Sequence, residues 1–490
     1  MSHNSGNKFE NSNYEASLNQ YFTEEKIANE FISLMTKLFY DKFIEMTLFR
    51  SQLIDRSASV VLYKHSYAER IVGRKLKILD SLDLANAIME CNVGPAKIDI
   101  GRLNKEWFAE KENYRNAKDF VEDKLSEIID KKPSFQKPVD VVIFGFGRIG
   151  RLVARELIIQ GNGSQLRVRA IVARTNKGEA IKKRASLFRH DSIHGPFRGI
   201  ALEDIDEETL YANGHYIKMI EASQPEDIDY TAYGIKNALL IDSTGVFRDR
   251  EGLSRHLKSK GIKKILLTAP GKGDIPNIVY GINHNDVDVQ QETIFSAASC
   301  TTNAIVPALS VIEEKFGIER GHVETIHAYT NDQNLLDNYH NKYRRGRSAP
   351  VNMVITETGA AKAAVKIIPS LEGKLTANAV RVPVPNVSLA ILSLTVKRDA
   401  SLEEVDQLMK DAALQGPLVE QIRYSSAYEA VSSDFIGDPV SCIYDSPATK
   451  VTTDKRNIVL YLWYDNEFGY TIQVMRLAKH IAGVKRFRYY

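Results

Sequence analysis

The stretch of sequence that decides the fold is VDVVIFGFGRIG at residues 139–150, followed by RLVARELII at residues 151–159. Residues 139–144 form a short run rich in β-branched residues, which is typical of a buried parallel strand. The glycine pattern G-x-G-x-x-G leads directly into a helical segment, and residues 167–173 form a second strand-like run. A strand, a glycine-rich turn and a helix in this order are the context that a dinucleotide-binding fingerprint requires.

The residues of this turn have distinct predicted roles. Gly145 permits the tight turn, Gly147 lets the backbone approach a pyrophosphate, and Gly150 allows close packing of helix on strand. The pyrophosphate then lies at the helix N-terminus, where the helix begins with Arg148 and Ile149. We therefore predict that these five residues bind a dinucleotide.

A second informative run is SCTTNAIVP at residues 299–307, which places a cysteine at the start of a helix that continues as an amphipathic segment over residues 305–315. Unpaired backbone N–H groups and the helix dipole lower the pKa of a thiol in this position. An imidazole is available at His327, in the run ETIHAYT at residues 324–330. If the fold brings Cys300 and His327 together, they form a pair for covalent catalysis.

These motifs, in this order, resemble those of phosphorylating glyceraldehyde-3-phosphate dehydrogenases. The resemblance runs from about residue 138 to the C-terminus and includes DSTGVF (242–247), TAP (268–270), GINH (281–284), TGAAK (358–362), RVPVPNVS (381–388) and WYDNEFGY (463–470). It implies an α/β protein with a Rossmann-type dinucleotide-binding domain over residues 138–299, completed by a C-terminal helix over residues 468–490. An α+β catalytic domain is expected over residues 300–467.

The resemblance also implies the chemistry. Cys300 attacks the aldehyde carbon of glyceraldehyde 3-phosphate, and His327 acts as acid and base. Inorganic phosphate then cleaves the resulting thioester to an acyl phosphate. The positions that match the family's substrate and phosphate sites are Ser299, Thr301, Thr330, Thr358, Gly359 and Arg381.

Two further matched positions concern the cofactor, and two departures concern the phosphate sites. Thr268 matches a cofactor-binding position, and Asn466 matches the residue that fixes the nicotinamide carboxamide. Asp332 stands where many members have a phosphate-binding threonine, and Glu357 stands where a small residue is usual. Both departures place a carboxylate beside an expected anion site. No metal site is implied.

The predicted cofactor is NADP, with NAD possible. Members that use NAD carry an acidic residue after the second strand, where it holds the adenosine ribose, whereas this chain has Ala173 there. Losing the carboxylate removes the repulsion of a 2′-phosphate, and the neighbouring Arg174 can bind that phosphate. The loop at residues 331–347 also resembles the branch that uses NADPH. The alternative is that Arg174 is a surface arginine without a ligand role.

Composition and charge agree with a cytoplasmic enzyme. The chain has 490 residues, three scattered cysteines and a formal net charge of +3, which indicates neither a disulfide framework nor a nucleic-acid partner. Residues 1–21 are polar and lack the apolar core of a signal peptide, and no membrane span is expected. The basic loop at residues 344–347 resembles one that lines a neighbouring subunit's cofactor site in the family, so we expect a homotetramer.

Residues 1–137 are not explained by the resemblance. We expect a disordered tail to about residue 20, then a mainly helical extension with helical spacing over residues 23–49, 57–72, 76–89 and 119–129, and a linker at residues 131–138. The extension either supports the dehydrogenase and its assembly or binds a regulatory partner. Two alternatives for the whole chain remain: an erythrose-4-phosphate dehydrogenase, and a non-catalytic regulatory or scaffold homologue. The sequence leaves the glycolytic or gluconeogenic direction open.

Overall fold

The computed structural model describes residues 11–131, 137–160, 163–484 and 487–490. The chain divides into two compact units, one formed by residues 1–134 together with 485–490, and the other by residues 135–484. We refer to them as the N-terminal unit and the dehydrogenase unit.

The helices and strands have the following bounds. The helices are α1 (Asn11–Lys42), α2 (Ala58–Tyr67), α3 (Glu69–Val72), α4 (Ile78–Glu90), α5 (Ile100–Glu110), α6 (Ala117–Lys124), α7 (Arg148–Ile159), α8 (Glu179–Arg189), α9 (Arg250–Ser254), α10 (Cys300–Phe316), α11 (Ala360–Ile367), α12 (Leu402–Leu414) and α13 (Phe468–Ile481). The strands are β1 (Glu45–Leu48), β2 (Ser51–Gln52), β3 (Ala96–Asp99), β4 (Val139–Phe144), β5 (Leu166–Ala173), β6 (His190–Asp191), β7 (Gly195–Pro196), β8 (Ala201–Asp204), β9 (Thr209–Ala212), β10 (His215–Glu221), β11 (Ala238–Asp242), β12 (Ile262–Leu267), β13 (Ile294–Ser296), β14 (Ile318–Ala328), β15 (Val354–Thr356), β16 (Leu375–Val382), β17 (Ser388–Val396), β18 (Ile422–Ser425), β19 (Cys442–Asp445), β20 (Lys450–Val451), β21 (Asn457–Tyr464) and β22 (Phe487–Tyr489).

The N-terminal unit is helical, as predicted, but it also contains a sheet. Phe31 and Leu38 of α1 pack with Leu84 and Ile88 of α4 in a buried core, because apolar residues recur on one face of each helix. The sheet has the order β2-β1-β3-β22. Its strands are two to four residues long, too short for a period-two pattern to stand out from the surrounding helical spacing.

Several boundaries differ from the expectations. The helix expected over residues 23–49 ends at Lys42 and is followed by β1, and the helix expected over residues 119–129 ends at Lys124. Helix α1 begins at Asn11, so residues 11–20 are helical and not a disordered tail, while residues 1–10 lie outside the described part of the chain. Most of the predicted linker, residues 132–136, also lies outside it. The helix expected over residues 468–490 ends at Ile481, and β22 pairs with β3 of the N-terminal unit.

The first half of the dehydrogenase unit is a Rossmann-type domain. Its sheet has the order β13-β12-β11-β4-β5-β10-β9-β8. From β4 the chain passes to β5 beside it, then through the outer strands β8 and β9 to β10, and finally to β11 on the other side of β4. The strand order therefore reverses beside β4. Ligands of such sheets bind at this point, outside the carboxyl ends of the strands.

The second half surrounds a mixed sheet in the order β15-β16-β14-β17-β21-β19-β18. Strand β14 is central and pairs in parallel with β16 over eight residues, which aligns His327 with Arg381. Helix α10 packs on this sheet through Ile305, Leu309 and Ile312, all fully buried. The register of β14 and β16 therefore places two predicted site residues side by side. Among the described helices, none is both long and apolar enough to cross a membrane.

We predict that Gly150→Ala lowers the thermal stability of the dehydrogenase unit more than Gly147→Ala does. A Cβ on Gly150 would lie 2.2 Å from the Gly145 carbonyl oxygen, while a Cβ on Gly147 would have no atom within 4 Å. Overpacking of this kind costs about 1–3 kcal/mol. Thermal unfolding without cofactor measures the difference, and equal melting temperatures for the two variants would contradict the packing role of Gly150.

Candidate active site

Cys300 lies in the first turn of α10, at a helix start that the local sequence fixes. Ser299 is extended and caps the helix, because its Oγ accepts a hydrogen bond of 3.0 Å from the Thr302 backbone N–H. Ala298, just before the cap, has φ +54°, a left-handed conformation that costs a non-glycine residue about 1–3 kcal/mol. The conformation is held from both sides, since Ser296 Oγ accepts from the Ala298 N–H and the Tyr470 hydroxyl donates to the Ala298 carbonyl, each at 3.0 Å.

The structure brings Cys300 and His327 together. Cys300 Sγ lies 3.6 Å from His327 Nε2 at the end of β14. His327 Nδ1 lies 2.7 Å from the Ala328 carbonyl oxygen, which can only accept, and 2.5 Å from Arg381 Nη1, which can only donate, so the two contacts favour opposite tautomers. A proton on Nδ1 is the tautomer that a base at Nε2 uses. The lone pair of Nε2 is then directed towards the thiol, as a general base requires.

Arg381 completes this group from the neighbouring strand β16. Its Nη1 lies 2.5 Å from His327 Nδ1 and donates to the Ala328 carbonyl oxygen at 2.8 Å. The Arg381 Nε is buried and has no hydrogen-bond partner within the described residues. A buried donor without a partner is costly, so the guanidinium is suited to an anion that would satisfy it.

Burial is the main cause of the pKa shifts of Cys300 and His327. It raises the pKa of the Cys300 thiol, although the positive charge of Arg381 opposes this rise. It also lowers the pKa of His327 to about 3, and Arg381 adds to that effect. The expectation of a lowered thiol pKa is therefore wrong for the chain without ligands, because desolvation exceeds the effect of the helix terminus. Both shifts favour a neutral thiol beside a neutral imidazole.

Tyr464 connects α10 with β14 behind the pair. Its hydroxyl lies 3.0 Å from Thr301 Oγ1 and 2.7 Å from Thr325 Oγ1, and all three residues are buried. The aromatic ring meets the His327 imidazole edge to face at 6.0 Å between ring centres. The Thr301 side chain is thus used in a structural hydrogen bond in this state.

The predicted anion-binding positions lie at element ends. Thr330 is in the turn after β14, where its carbonyl accepts from the Gln333 N–H at 2.9 Å. Thr358 and Gly359 precede α11, and Thr358 Oγ1 accepts from the Ala360 N–H at 3.2 Å. The amide groups at the start of this helix are oriented as in anion sites of helix N-termini.

Arg345 is a residue that the sequence analysis did not single out. It is largely buried and donates to Thr356 Oγ1 at 3.1 Å, and it forms an ion pair with Asp332. Burial lowers the pKa of Arg345, and the positive charge of Arg381 lowers it further. The carboxylate of Glu357 opposes this shift. The unusual carboxylates Asp332 and Glu357 therefore both interact with one arginine. The only sequence signal was its place in the basic run at residues 344–347.

The glycine-rich turn fits a dinucleotide. Gly145 has φ +97°, and a Cβ there would lie 2.8 Å from Thr244 Cγ2 on the turn that follows β11. The open space at the Gly147 Cβ position lies at the N-terminal end of α7. The Arg148 guanidinium is occupied by Glu467, at 2.5 Å, and by Asp191. The backbone N–H groups of Arg148 and Ile149 lie in the first turn of α7, the position predicted for a pyrophosphate.

Asn466, the predicted anchor of the nicotinamide carboxamide, follows β21. Its Oδ1 accepts from Ser388 Oγ at 2.8 Å, and Ser388 Oγ in turn accepts from the Ala328 N–H at 3.1 Å. This chain of hydrogen bonds orients Asn466 relative to the strand end that carries His327. It leaves the Asn466 Nδ2 group as the donor for a ligand.

The residues predicted to contact the adenosine end of the cofactor lie at the end of β5 and just after it. Ala173 is the last residue of the strand and is buried, whereas Arg174 is exposed. Glu221 on β10 lies opposite Ala173 on β5, and the Glu221 carboxylate accepts a hydrogen bond of 2.8 Å from the Asn176 N–H. Thr268 lies at the end of β12, where its N–H donates to the Asp242 carbonyl at 3.0 Å.

Comparison with known proteins identifies the family. The model of the glyceraldehyde 3-phosphate dehydrogenase C-terminal domain matches residues 299–466, and that of its NAD binding domain matches residues 139–250. The chain belongs to the glyceraldehyde-3-phosphate dehydrogenase family. It is an oxidoreductase with a nicotinamide dinucleotide cofactor, as the family's dinucleotide-binding domain indicates.

Named relatives of two kinds support the assignment. Glyceraldehyde-3-phosphate dehydrogenase 2 of Trichormus variabilis is 40% identical over 344 residues, covering 70% of this chain and 98% of the relative. The corresponding protein of Bacillus subtilis is 39% identical over the same length. A glyceraldehyde-3-phosphate dehydrogenase-like protein of Pseudomonas aeruginosa is 48% identical over 457 residues, covering 92% of this chain and 98% of the relative. That alignment is longer than the dehydrogenase unit, so it also covers part of the N-terminal unit.

We predict that His327 makes the dehydrogenase unit less stable at pH 5 than at pH 7. Its pKa is about 3 in the folded chain and 6.5 when unperturbed, so the unfolded chain binds a proton first as the pH falls, and stability is lost between pH 6.5 and 3. At 1.36 kcal/mol per pH unit, the loss at pH 5 is about 2 kcal/mol. The His327→Asn variant should lack this loss.

Urea unfolding followed by Trp463 fluorescence tests this prediction in a Trp107→Phe background, which removes the other tryptophan of the chain. His322→Asn, on the same strand but with a side chain that is 40% exposed, controls for the loss of an imidazole. The prediction is refuted if the free energy of unfolding changes equally between pH 7 and pH 5 in proteins with and without His327.

Proposed function

We propose that this protein is a phosphorylating aldehyde dehydrogenase that converts glyceraldehyde 3-phosphate, inorganic phosphate and NAD(P)+ to 1,3-bisphosphoglycerate and NAD(P)H. The observation that carries the proposal is the approach of Cys300 Sγ to His327 Nε2 at 3.6 Å, at the start of a helix. Two relatives that align over 344 residues of this chain are named glyceraldehyde-3-phosphate dehydrogenase 2.

In the first half of the reaction the thiol becomes a thioester. His327 Nε2 takes the proton of Cys300 as Sγ bonds to the aldehyde carbon, and the oxyanion that forms is met by the Cys300 backbone N–H in the first turn of α10. His327 returns this proton to the oxyanion, which forms the hydroxyl of a hemithioacetal, and accepts it again as the hydride leaves that carbon and the thioester carbonyl forms. When bound, the dinucleotide supplies the hydride acceptor, and Asn466 Nδ2 holds its carboxamide so that one ring face is presented.

In the second half, phosphate attacks the thioester. A phosphate oxygen bonds to the carbonyl carbon and the Cys300 thiolate leaves, which yields the acyl phosphate. Thr358, Gly359 and Arg381 are suited to hold the phosphate groups, because they offer a hydroxyl, a position at the start of α11 and a guanidinium whose buried Nε has no hydrogen-bond partner among the described residues. We add Arg345 to this set, since its charge lies near that of Arg381. Ser299, Thr301 and Thr330 contribute to the same pockets.

We infer a preference for NADP over NAD. The supporting observation is that an alanine ends β5 and is followed by an exposed arginine. A carboxylate at Ala173 would bind the ribose hydroxyls and repel a 2′-phosphate, whereas Arg174 attracts that phosphate.

We further propose that the protein is a cytoplasmic homotetramer. The segment from residue 335 to residue 355 exposes an unusual set of large apolar side chains, from 54% to 98% exposed: Leu335, Leu336, Tyr339, Tyr343, Val351, Met353 and Ile355. Such a surface is typical of one that another subunit covers. The free thiols of Cys91, Cys300 and Cys442 suit a reducing compartment.

Steady-state kinetics with two aldehydes tests the reaction. We expect kcat/KM to be higher for glyceraldehyde 3-phosphate than for erythrose 4-phosphate, and turnover to require added phosphate. Cys300→Ser should abolish turnover but still bind cofactor, and His327→Asn should slow acylation by about 10²–10⁴-fold. Cys442→Ser is the matched control, since that thiol is buried elsewhere in the core.

The alternatives predict other results. A preference for the four-carbon aldehyde would favour an erythrose-4-phosphate dehydrogenase. Cofactor binding without turnover on either aldehyde would favour a non-catalytic homologue, and substantial activity in Cys300→Ser would exclude the covalent mechanism.

The cofactor preference has its own test. Arg174→Ala should weaken NADP more than NAD, by about 1.5–3 kcal/mol if one charge-assisted hydrogen bond is lost. Ala173→Asp should shift the preference towards NAD. Titration of both cofactors against each variant measures the effects, with Lys183→Ala, an exposed cation on α8, as the control for general charge loss. Equal losses for NAD and NADP in Arg174→Ala would mean that Arg174 does not bind the 2′-phosphate.

A further inference from the structure

The last strand of the N-terminal sheet comes from the opposite end of the chain. Strand β22 lies parallel to β3, with Phe487 opposite Ala96 and Tyr489 opposite Ile98. Ala96 and Ile98 are fully buried, so β3 belongs to the core of this unit. Without β22, one side of β3 would present unpaired N–H and C=O groups, which are unfavourable at the edge of a sheet and invite pairing with another strand.

The side chain of Tyr489 is held by the helix that follows β3. Its hydroxyl donates to the Glu106 carboxylate, and the Arg102 guanidinium lies over its ring, 4.6 Å from the ring centre. Arg102 and Glu106 are one turn apart on α5 and are joined by a hydrogen bond of 2.7 Å. The ring face and the hydroxyl of one tyrosine are therefore both contacted by a fixed pair.

A second arginine contacts the terminal residue. The Arg50 guanidinium lies 5.0 Å from the centre of the Tyr490 ring. Arg50 is fixed by Asp99 at 2.7 Å, and the Asp99 carboxylate is fully buried. Asp99 also accepts from the Phe49 N–H at 2.8 Å, so the turn between β1 and β2 holds this arginine beside the end of β3.

We propose that the edge of β3, with Arg50, Arg102 and Glu106, is a recognition site for the chain's own C-terminal segment Phe-Arg-Tyr-Tyr. The backbone of the segment binds by adding a strand to β3. Arg102 and Glu106 contact Tyr489, and Arg50 contacts Tyr490. Because the segment is attached to the same chain, its effective concentration is high, and a modest intrinsic affinity keeps it bound. Its capture completes the N-terminal unit.

A truncated chain, residues 1–484, provides the test. We expect a fluorescent peptide of residues 485–490 to bind it saturably in an anisotropy titration. Binding should weaken at least tenfold when the peptide carries Tyr489→Ala, or when the truncated chain carries Arg102→Ala. The matched control is Arg115→Ala, which removes an arginine of the same unit that is likewise paired with a carboxylate four residues along, and whose side chain is 86% exposed.

Hydrogen exchange gives a second readout that does not require the truncated chain. In the full chain, Tyr489→Ala should speed amide exchange in residues 96–99 at least tenfold, and in the truncated chain the peptide should restore protection there. The proposal is overturned if the peptide does not bind saturably, if a scrambled peptide of the same composition binds equally well, or if exchange in residues 96–99 is unchanged by Tyr489→Ala.

Discussion

The arrangement of the dehydrogenase unit depends on the parallel register of β14 and β16. This register sets His327 beside Arg381, and the packing of α10 on the same sheet brings Cys300 Sγ to His327 Nε2. A shift of one residue would turn His327 to the other face of the sheet, away from the thiol. The apolar core of the second half therefore serves to fix a contact between two polar side chains at its edge.

Two strained residues show what this contact requires of the backbone. Ala298, before the helix that carries Cys300, and Val387, before Ser388, both have positive φ angles. Valine is branched at Cβ and rarely adopts this conformation. Ser388 links the strand end of His327 to Asn466, so the strain lies where the nucleophile and the cofactor anchor must be oriented, and the surrounding hydrogen bonds hold it there.

Features encoded in local runs of sequence could be predicted, and features that depend on distant contacts could not. The G-x-G-x-x-G turn at Gly145 could be predicted because its strand, turn and helix are adjacent in the chain. The sheet of the N-terminal unit was missed because its strands are only two to four residues long and because β22 joins β3 from residues 487–489, a pairing that no local pattern records. The direction of the Cys300 pKa shift was wrong for a related reason: the sequence indicates a helix start but not how much of the thiol is desolvated. Arg345 became visible only when its neighbours Asp332 and Thr356 were in place.

The strand Phe487–Tyr489 has a consequence for biosynthesis. A chain leaves the ribosome N-terminus first, and domains commonly fold as they emerge. Here the first unit to emerge contains a sheet whose outer strand lies at residues 487–489, so its last step of folding must wait until the dehydrogenase unit has been synthesised. Until then the β3 edge is open to incorrect partners or to chaperones. A chain that terminates before β22 would keep that edge exposed permanently. The exposed edge would then distinguish the shortened chain from one that carries β22.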